Sequence, residues 1–272
     1  MRGVVLGLMF IALWWGPTTA RTAQGEELPE GLWVAERINE HRLDRPIARR
    51  LTMKLVDPKG SVRTRKLESF RREKDDASQI AIYVLEPPSM KGTGFLSYDY
   101  FDSSRGDDQW IYEPRRQAVR RVAESGRGEY FLGSEYTIED IKKVNRIEIG
   151  EYHWKVIGRE QLDGESVYLL EQLPRSDKLI KSLGYSRILN YVSPTSWLRK
   201  RIEYWDPEGA PLKRTEVRET LQIQGKTWIR ETVTTRLDTG HRTHLRVEST
   251  SLDRAMDDEW FTVRGLAKEI RR

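Results

Sequence analysis

The chain has 272 residues, 47 Lys and Arg against 42 Asp and Glu for a net charge of +5, four His and no Cys. The missing thiols exclude a disulfide framework, a cysteine nucleophile, thiolate zinc sites and a lipidated cysteine. Charged residues make up 33%, but an aromatic share of 10% is too high for a disordered chain and supplies a packed core.

The first 20 residues stand apart. Arg2, the uncharged apolar run 4–15, the breakers Gly16 and Pro17 and the small residues Thr18, Thr19 and Ala20 have the layout of a cleavable secretory signal peptide. The run falls short of the roughly 18 apolar residues that a spanning helix needs. Cleavage after Ala20 leaves 21–272, which carries no Gly/Ser linker or composition break and reads as a single domain. Export without cysteine points to the periplasm of a Gram-negative bacterium rather than to a eukaryotic secretory route.

Residues 28–49 read as a helix, with Leu32, Ala35, Ile38 and Arg42 three or four apart and Pro46 limiting the continuation. From Leu51 the period falls to two. Leu51, Met53 and Leu55 alternate with Thr52 and Lys54, and Ile80, Ile82 and Val84 with Ala81 and Tyr83. Tyr152, Trp154 and Val156 repeat the pattern, as do Leu198, Ile202 and Tyr204, then Val217, Leu221 and Ile223, then Leu245 and Val247. These are strands with one face buried. Asp57-Pro58-Lys59-Gly60 and Asp206-Pro207-Glu208-Gly209 are turns, and Asp163-Gly164, Gln224-Gly225 and Thr239-Gly240 join hairpins. About a dozen strands at spacings of roughly 8 to 12 residues predict a mainly β chain with few helices, in the pattern of a sandwich or barrel. Thr137-Ile138-Glu139-Asp140 is a capping box that opens a short helix with Ile138, Ile141 and Val144 on its apolar side. Residues 176–184 are a second short helix or lid.

Several blocks then fall in a familiar order. Gly92-Thr93-Gly94-Phe95-Leu96 is followed by Trp110-Ile111-Tyr112-Glu113-Pro114, by Arg120-Arg121-Val122 and by Phe131-Leu132-Gly133-Ser134-Glu135-Tyr136-Thr137-Ile138-Glu139-Asp140. Trp197-Leu198-Arg199-Lys200, Tyr204-Trp205-Asp206-Pro207 and Phe261 continue the series. This resembles the outer membrane lipoprotein-sorting proteins, relatives of the periplasmic carrier LolA, with Val122 and Glu135 as mild departures from their Ile and Asp. The resemblance spans nearly all of 21–272 and is most specific in 131–140. It implies a curved antiparallel sheet, an unclosed LolA-like half-barrel partly covered by helices. It also implies binding of the acyl chains of a lipid or lipoprotein, often beside an inner-membrane lipid exporter of the RND type.

A carrier of that kind needs a dry pocket. The expected pocket residues are Leu55, Ile82, Val84, Trp110, Tyr112, Phe131, Leu132, Tyr136, Tyr152, Trp154, Tyr168 and Tyr191, with Ile202 beside them. Any one of them is equally ordinary core, because alternation marks a buried face and not an empty one. At roughly 0.8 kcal/mol per buried methylene, two or three chains would bind tightly. Residues 131–140 read either as a lid hinged at Gly133 or as a loop-to-helix junction fixed by the Thr137 cap. Arg115, Arg116, Arg120 and Arg121, and Arg199, Lys200 and Arg201, form loose basic clusters. They suit transient contact with anionic headgroups or simply a solvated strand face, and with acids interleaved they do not suit nucleic acid.

Signals for an enzyme are weak. Glu139-Asp140 and Asp257-Asp258 are sequence neighbours that point apart, His241 and His244 fall on opposite faces of a strand, and Ser134 lacks the hydrolase elbow. No catalytic residue, cofactor or metal is expected, and the chain reads as a monomeric carrier. An accessory module docking on an exporter without stable cargo is the alternative, and a lipid hydrolase working through Ser134 or Asp140 is a weaker one.

Overall fold

The computed structural model describes residues 27–41, 45–102, 105–143 and 146–268. The expected signal segment, Arg42 and Val144 lie outside them. The chain opens with α1 (Gly31–Glu40). Six strands follow: β1 (Ile47–Val56), β2 (Val62–Lys74), β3 (Ala77–Glu86), β4 (Gly94–Tyr100), β5 (Asp108–Glu113) and β6 (Ala118–Arg121). A connecting stretch carries 3₁₀ turns at Glu124–Gly126 and Phe131–Gly133 and the short helix α2 (Ile138–Lys143). Then come β7 (Tyr152–Leu162), β8 (Glu165–Pro174), α3 (Asp177–Leu183), β9 (Arg187–Val192), β10 (Arg199–Trp205), β11 (Pro211–Ile223), β12 (Lys226–Arg236) and β13 (Arg242–Ser251). A 3₁₀ turn at Asp258–Phe261 and α4 (Val263–Leu266) follow the last strand.

All thirteen strands form one antiparallel sheet in the order β6-β5-β4-β3-β2-β1-β13-β12-β11-β10-β9-β8-β7. It consists of two meanders, β1–β6 and β7–β13, joined where β1 pairs with β13. β6 and β7 do not pair with each other, so the sheet curls without closing. Residues 122–151 connect these two free edges and carry α2 across the concave face. The half-barrel, its antiparallel pairing and its helical cover agree with the sequence reading.

The turns follow from local chemistry. The Asp57 carboxylate accepts from the Lys59 and Ser61 amides at 2.8 and 3.0 Å, and Asp206 accepts from the Ala210 amide at 2.7 Å. These are side-chain-capped turns that end on a glycine. Asp163-Gly164 and Gln224-Gly225 have positive φ at both residues, the geometry of the two-residue hairpin turn that matches strand twist.

The N-terminal helix corrects the sequence reading. It ends at Glu40, and Ile47 to Arg49 already belong to β1. Its buried side is Gly31, Val34 and Ala35 with Ile38 beside them, while Leu32 and Trp33 face outward. Gly31 is what lets the helix lie on β7. A Cβ there would stand 2.5 Å from the Lys155 amide nitrogen and the Trp154 carbonyl carbon, both backbone atoms that cannot step aside. Gly31→Ala is therefore expected to lift α1 off the sheet at a cost of about 1–3 kcal/mol. Thermal unfolding should show the loss, and amide exchange over 31–40 should speed up.

Both faces of the sheet carry apolar residues. On the concave face Met53, Leu67, Ile80, Ile82 and Phe95 pack under Phe131, Tyr136, Ile138 and Ile141. On the convex face Phe70, Ala81, Tyr83 and Leu96 are covered by Phe261 and Leu266 of the C-terminal segment. The Tyr83 hydroxyl donates to the Trp260 carbonyl at 2.8 Å, and Tyr98 donates to that of Phe261. The segment is pinned electrically as well. Asp258 accepts from Lys74 at 2.8 Å and pairs with Arg72, and the two cations hold its carboxyl at about 2, below the ordinary 3.8. A lowered carboxylate pKa contributes above the unfolded value and is lost as pH falls through the folded one. Exchange over 258–266, corrected for intrinsic rates, should therefore accelerate below about pH 4, most of all near pH 2, and Asp258→Asn should exchange quickly throughout.

Candidate functional site

A cavity of about 180 Å³ lies between the concave face and its cover. For scale, an engineered apolar cavity of about 150 Å³ holds one benzene-sized guest. Its floor is built by alternation. Leu51 and Met53 come from β1, Ile80 and Ile82 from β3, Ile202 and Tyr204 from β10, and Leu245 and Val247 from β13. Its roof is Ile38 and His41 at the end of α1, Phe131 and Tyr136, Ile141 on α2, and Ile147. The wall is mostly hydrocarbon, interrupted by Ser69, Gln172, Thr215, Thr232 and a few charged groups.

The roof is fastened by polar links. Thr137 and Asp140 cap each other reciprocally, with the Thr137 amide donating to the Asp140 carboxylate at 2.8 Å and the Asp140 amide donating to the Thr137 hydroxyl at 3.1 Å. Asp140 also accepts from the Lys213 ammonium at 2.5 Å and from the Tyr185 hydroxyl at 3.0 Å. Lys213 in turn donates to the Glu135 carbonyl at 2.8 Å. Tyr136 shares a hydrogen bond with Thr232 at 2.7 Å, and burial pushes its phenol up to about 12. The junction reading of residues 131–140 thus has the cap it needs. Ser134 is spent within the turn, donating to the Phe131 carbonyl and accepting from the Tyr136 amide.

A buried ionic cluster locks the outer side of α2. Arg127 forks onto Glu139 at 2.8 and 2.9 Å and onto Glu151 at 2.7 and 2.8 Å. Burial alone would lower the Arg127 guanidinium, but the two carboxylates outweigh it and hold the group above its ordinary value. Lys142 pairs with Asp107 and lies 3.6 Å from both Asp99 and Glu139, and Arg146 bonds Asp99 at 3.0 Å. Glu139 and Lys142 are each 1% exposed at the side chain. Sequence reasoning missed this cluster. Its only linear trace is the spacing of Glu139 and Lys142 on one side of a short helix.

The twelve expected pocket residues separate into four groups of three. Ile82, Phe131 and Tyr136 line the cavity. Leu55, Val84 and Leu132 belong to the same concave-face core, and Val84 and Leu132 border a smaller recess that also touches Ile82 and Phe131. Tyr152, Trp154 and Tyr168 pack close by, beneath α1 and beside Leu183 and Tyr185. Trp110, Tyr112 and Tyr191 are not with them. The first two pack on the convex side under the C-terminal segment, and Tyr191 packs with Leu162, Val167 and Leu189 behind β9. Ile202 does line the cavity. The arginines of the first basic cluster are largely paired outside it, Arg116 with Glu113, Arg120 with Glu129 and Arg121 with Asp108. In the second cluster Lys200 bonds Glu165 at 3.0 Å, while Arg199 turns into the cavity wall.

The charged groups of that wall differ in how they are balanced. Asp140 is held by Lys213, Arg146 by Asp99, and Arg230 by Glu219 at 2.9 Å. Burial lowers Arg199, with Tyr204, Asp140 and Tyr152 acting against the shift. His41 is lowered by burial and bonds the Thr227 carbonyl at 2.8 Å while its ring lies 4.6 Å from that of Trp228. Arg49 has no ion pair and no side-chain hydrogen bond among the described residues, and its Nε is buried. Arg65, further along the same face, also has two unpartnered nitrogens but packs beneath Gly133. Among the described residues no group of three His, Asp or Glu is placed to hold a metal, and no helix is long and apolar enough to cross a membrane.

A family model described as an uncharacterized protein matches residues 76–268. The fold is similar to an outer membrane lipoprotein-sorting protein domain from Vibrio parahaemolyticus, with a TM-score of 0.79 and 23% identity over 88% of this chain and 98% of that one. A DUF1329 family protein from Desulfovibrio piger gives a TM-score of 0.80 and 25% identity over 87% and 97%. A LolA superfamily protein from Nitrosomonas europaea gives 0.66 and 19% over 86% and 98%. No curated protein matches in sequence.

Proposed function

We propose that this chain, a member of the uncharacterized family whose model matches residues 76–268 and similar in fold to an outer membrane lipoprotein-sorting protein domain and a LolA superfamily protein, is a periplasmic carrier that hides an acyl chain beneath α1 and α2. The observation that carries this reading is the cavity itself, a largely hydrocarbon space left open between a curved sheet and its roof. A core made only for stability would fill that space, since protein interiors are close-packed. Burying about six methylenes at roughly 0.8 kcal/mol each supplies about 5 kcal/mol, a Kd of about 0.3 mM before the cost of ordering the chain. The volume favours one chain at a time rather than the two or three of a whole lipoprotein anchor.

The cargo moves towards the outer membrane after release from the inner one, and an exporter of the RND type is the proposed donor. The carrier works as a monomer that touches membranes only transiently. The cleavable segment at 1–20 delivers it to the periplasm as a single domain. Ile82, Phe131 and Tyr136 are the expected pocket residues best placed to touch the chain, joined by Met53, Ile202 and Leu245. No catalytic step is proposed. Native mass spectrometry with lipid extraction, on protein taken from the periplasm, tests the reading. A defined lipid or acylated protein in about equal amount would support it. A clean apo mass that persists after incubation with membranes would overturn it and leave the exporter-docking module in its place.

A further inference from the structure

Arg49 breaks an apolar row. It shares its side of β1 with Leu51 and Met53, and all three line the cavity. Its cross-strand partner on β2 is Ser69, another lining residue, whose hydroxyl bonds no described residue. A guanidinium has five N–H donors and no acceptor, so it calls for oxygen. Arg49 finds none among the described side chains, and its Nε has lost water as well. Burial first, and then the like charge of Arg71, pull its pKa down to about 10, so it remains a cation at neutral pH. A half-buried cation whose Nε is shut off from water without a partner is costly, and structures normally pair or remove it. The other charged residues of the wall are balanced from within the protein, Asp140 by Lys213, Arg146 by Asp99 and Arg230 by Glu219, and Arg199 lies in the field of Asp140. Arg49 is the charge that a ligand can complete.

We propose that Arg49 anchors the head of the cargo and that the cargo is a single-chain anionic amphiphile, an alkyl chain ending in a carboxylate or a phosphate, with Ser69 as a second donor. The proposal rests on the carrier reading above and narrows it to a chemical class. The tail lies along Leu51, Met53 and Ile80, and the planar guanidinium takes the oxyanion through paired N–H donors.

The test uses delipidated full-length protein and three ligands of equal chain length, dodecanoate, dodecyl phosphate and dodecanol. Each is titrated against a displaced fluorescent probe below its micellar concentration. The wild type is expected to bind at least one of the anions roughly 10- to 100-fold more tightly than the alcohol. Which anion wins separates a free carboxylate from a phosphate head. Arg49→Gln and Arg49→Met are expected to erase that preference, with the anions falling to the level of the alcohol. Two variants guard against one failing to fold, and removal of an unpaired charge should not lower Tm. A wild type that binds all three ligands equally, or a preference that survives both substitutions, would overturn the proposal and leave the carrier standing. Failure of all three ligands to bind would overturn the carrier reading together with this one.

Discussion

Replacing Arg127 with methionine is expected to cost about 3–5 kcal/mol, because it strands Glu139, a carboxylate only 1% exposed, without its bidentate partner. For a domain of this size that corresponds to a fall in Tm of about 10 °C or more. Removing both charges together should be milder. Arg127→Met with Glu139→Gln leaves no fully buried carboxylate stranded, so the double variant should recover much of the loss, and a double-mutant cycle would measure the coupling. Glu151, which also accepts from Arg127, keeps one edge exposed to water and should contribute less. Equal destabilisation by the single and double variants would show that the cluster acts through packing rather than charge. The damage should localise to α2 and hence to the roof, so lipid retention should fall in the single variant even at temperatures where the sheet stays folded.

Leu245→Trp should abolish stable cargo binding without unfolding the protein. Leu245 sits on β13 with part of its surface open to the cavity, where an indole has room to enter. Filling the space removes the lining contacts of three or four methylenes, about 2–3 kcal/mol, or roughly 30- to 150-fold in affinity. Lipid recovered with the purified variant should drop accordingly, and Tm should hold or rise because a void has been filled. A variant that still carries a full complement of lipid would place the cargo elsewhere, with the smaller recess bordered by Val84 and Leu132 as the next place to probe.

The strands and turns were legible in the sequence because each is set locally. Alternation of Leu51, Met53 and Leu55 needs only the pleat, and Asp57 needs only the two amides that follow it. The reciprocal cap at Thr137 and Asp140 was readable for the same reason. Which face of a strand meets the cavity was not. Trp110 and Tyr112 have the pattern of pocket residues, but the residues that cover them come from Phe261 and Leu266 about 150 positions later. A sheet buried on both sides gives apolar residues to both parities, so alternation marks the strand and leaves its inner face undecided. The helix failed differently. Its buried stripe includes Gly31, which a hydropathy pattern does not weigh, so the reading slipped to Leu32 and ran on into β1. Arg49 left a trace, a cation in register with Leu51 and Met53, but a single charge in a strand is ordinary until the face it shares is known to be enclosed.

Every strand pair but one joins neighbours in the chain, and the exception is β1 with β13. Hairpins of the first meander can form as soon as they are made, and loop-closure entropy disfavours the seam until the local pairings are in place. Until β13 arrives, β1 presents an unpaired edge, and the cavity lacks the wall supplied by Leu245 and Val247. Acquisition of the binding site is therefore a late event in folding. A chain stopped before residue 242 has most of its sheet and an open-sided cavity, so enclosure of the cavity reports that β13 has been made and paired.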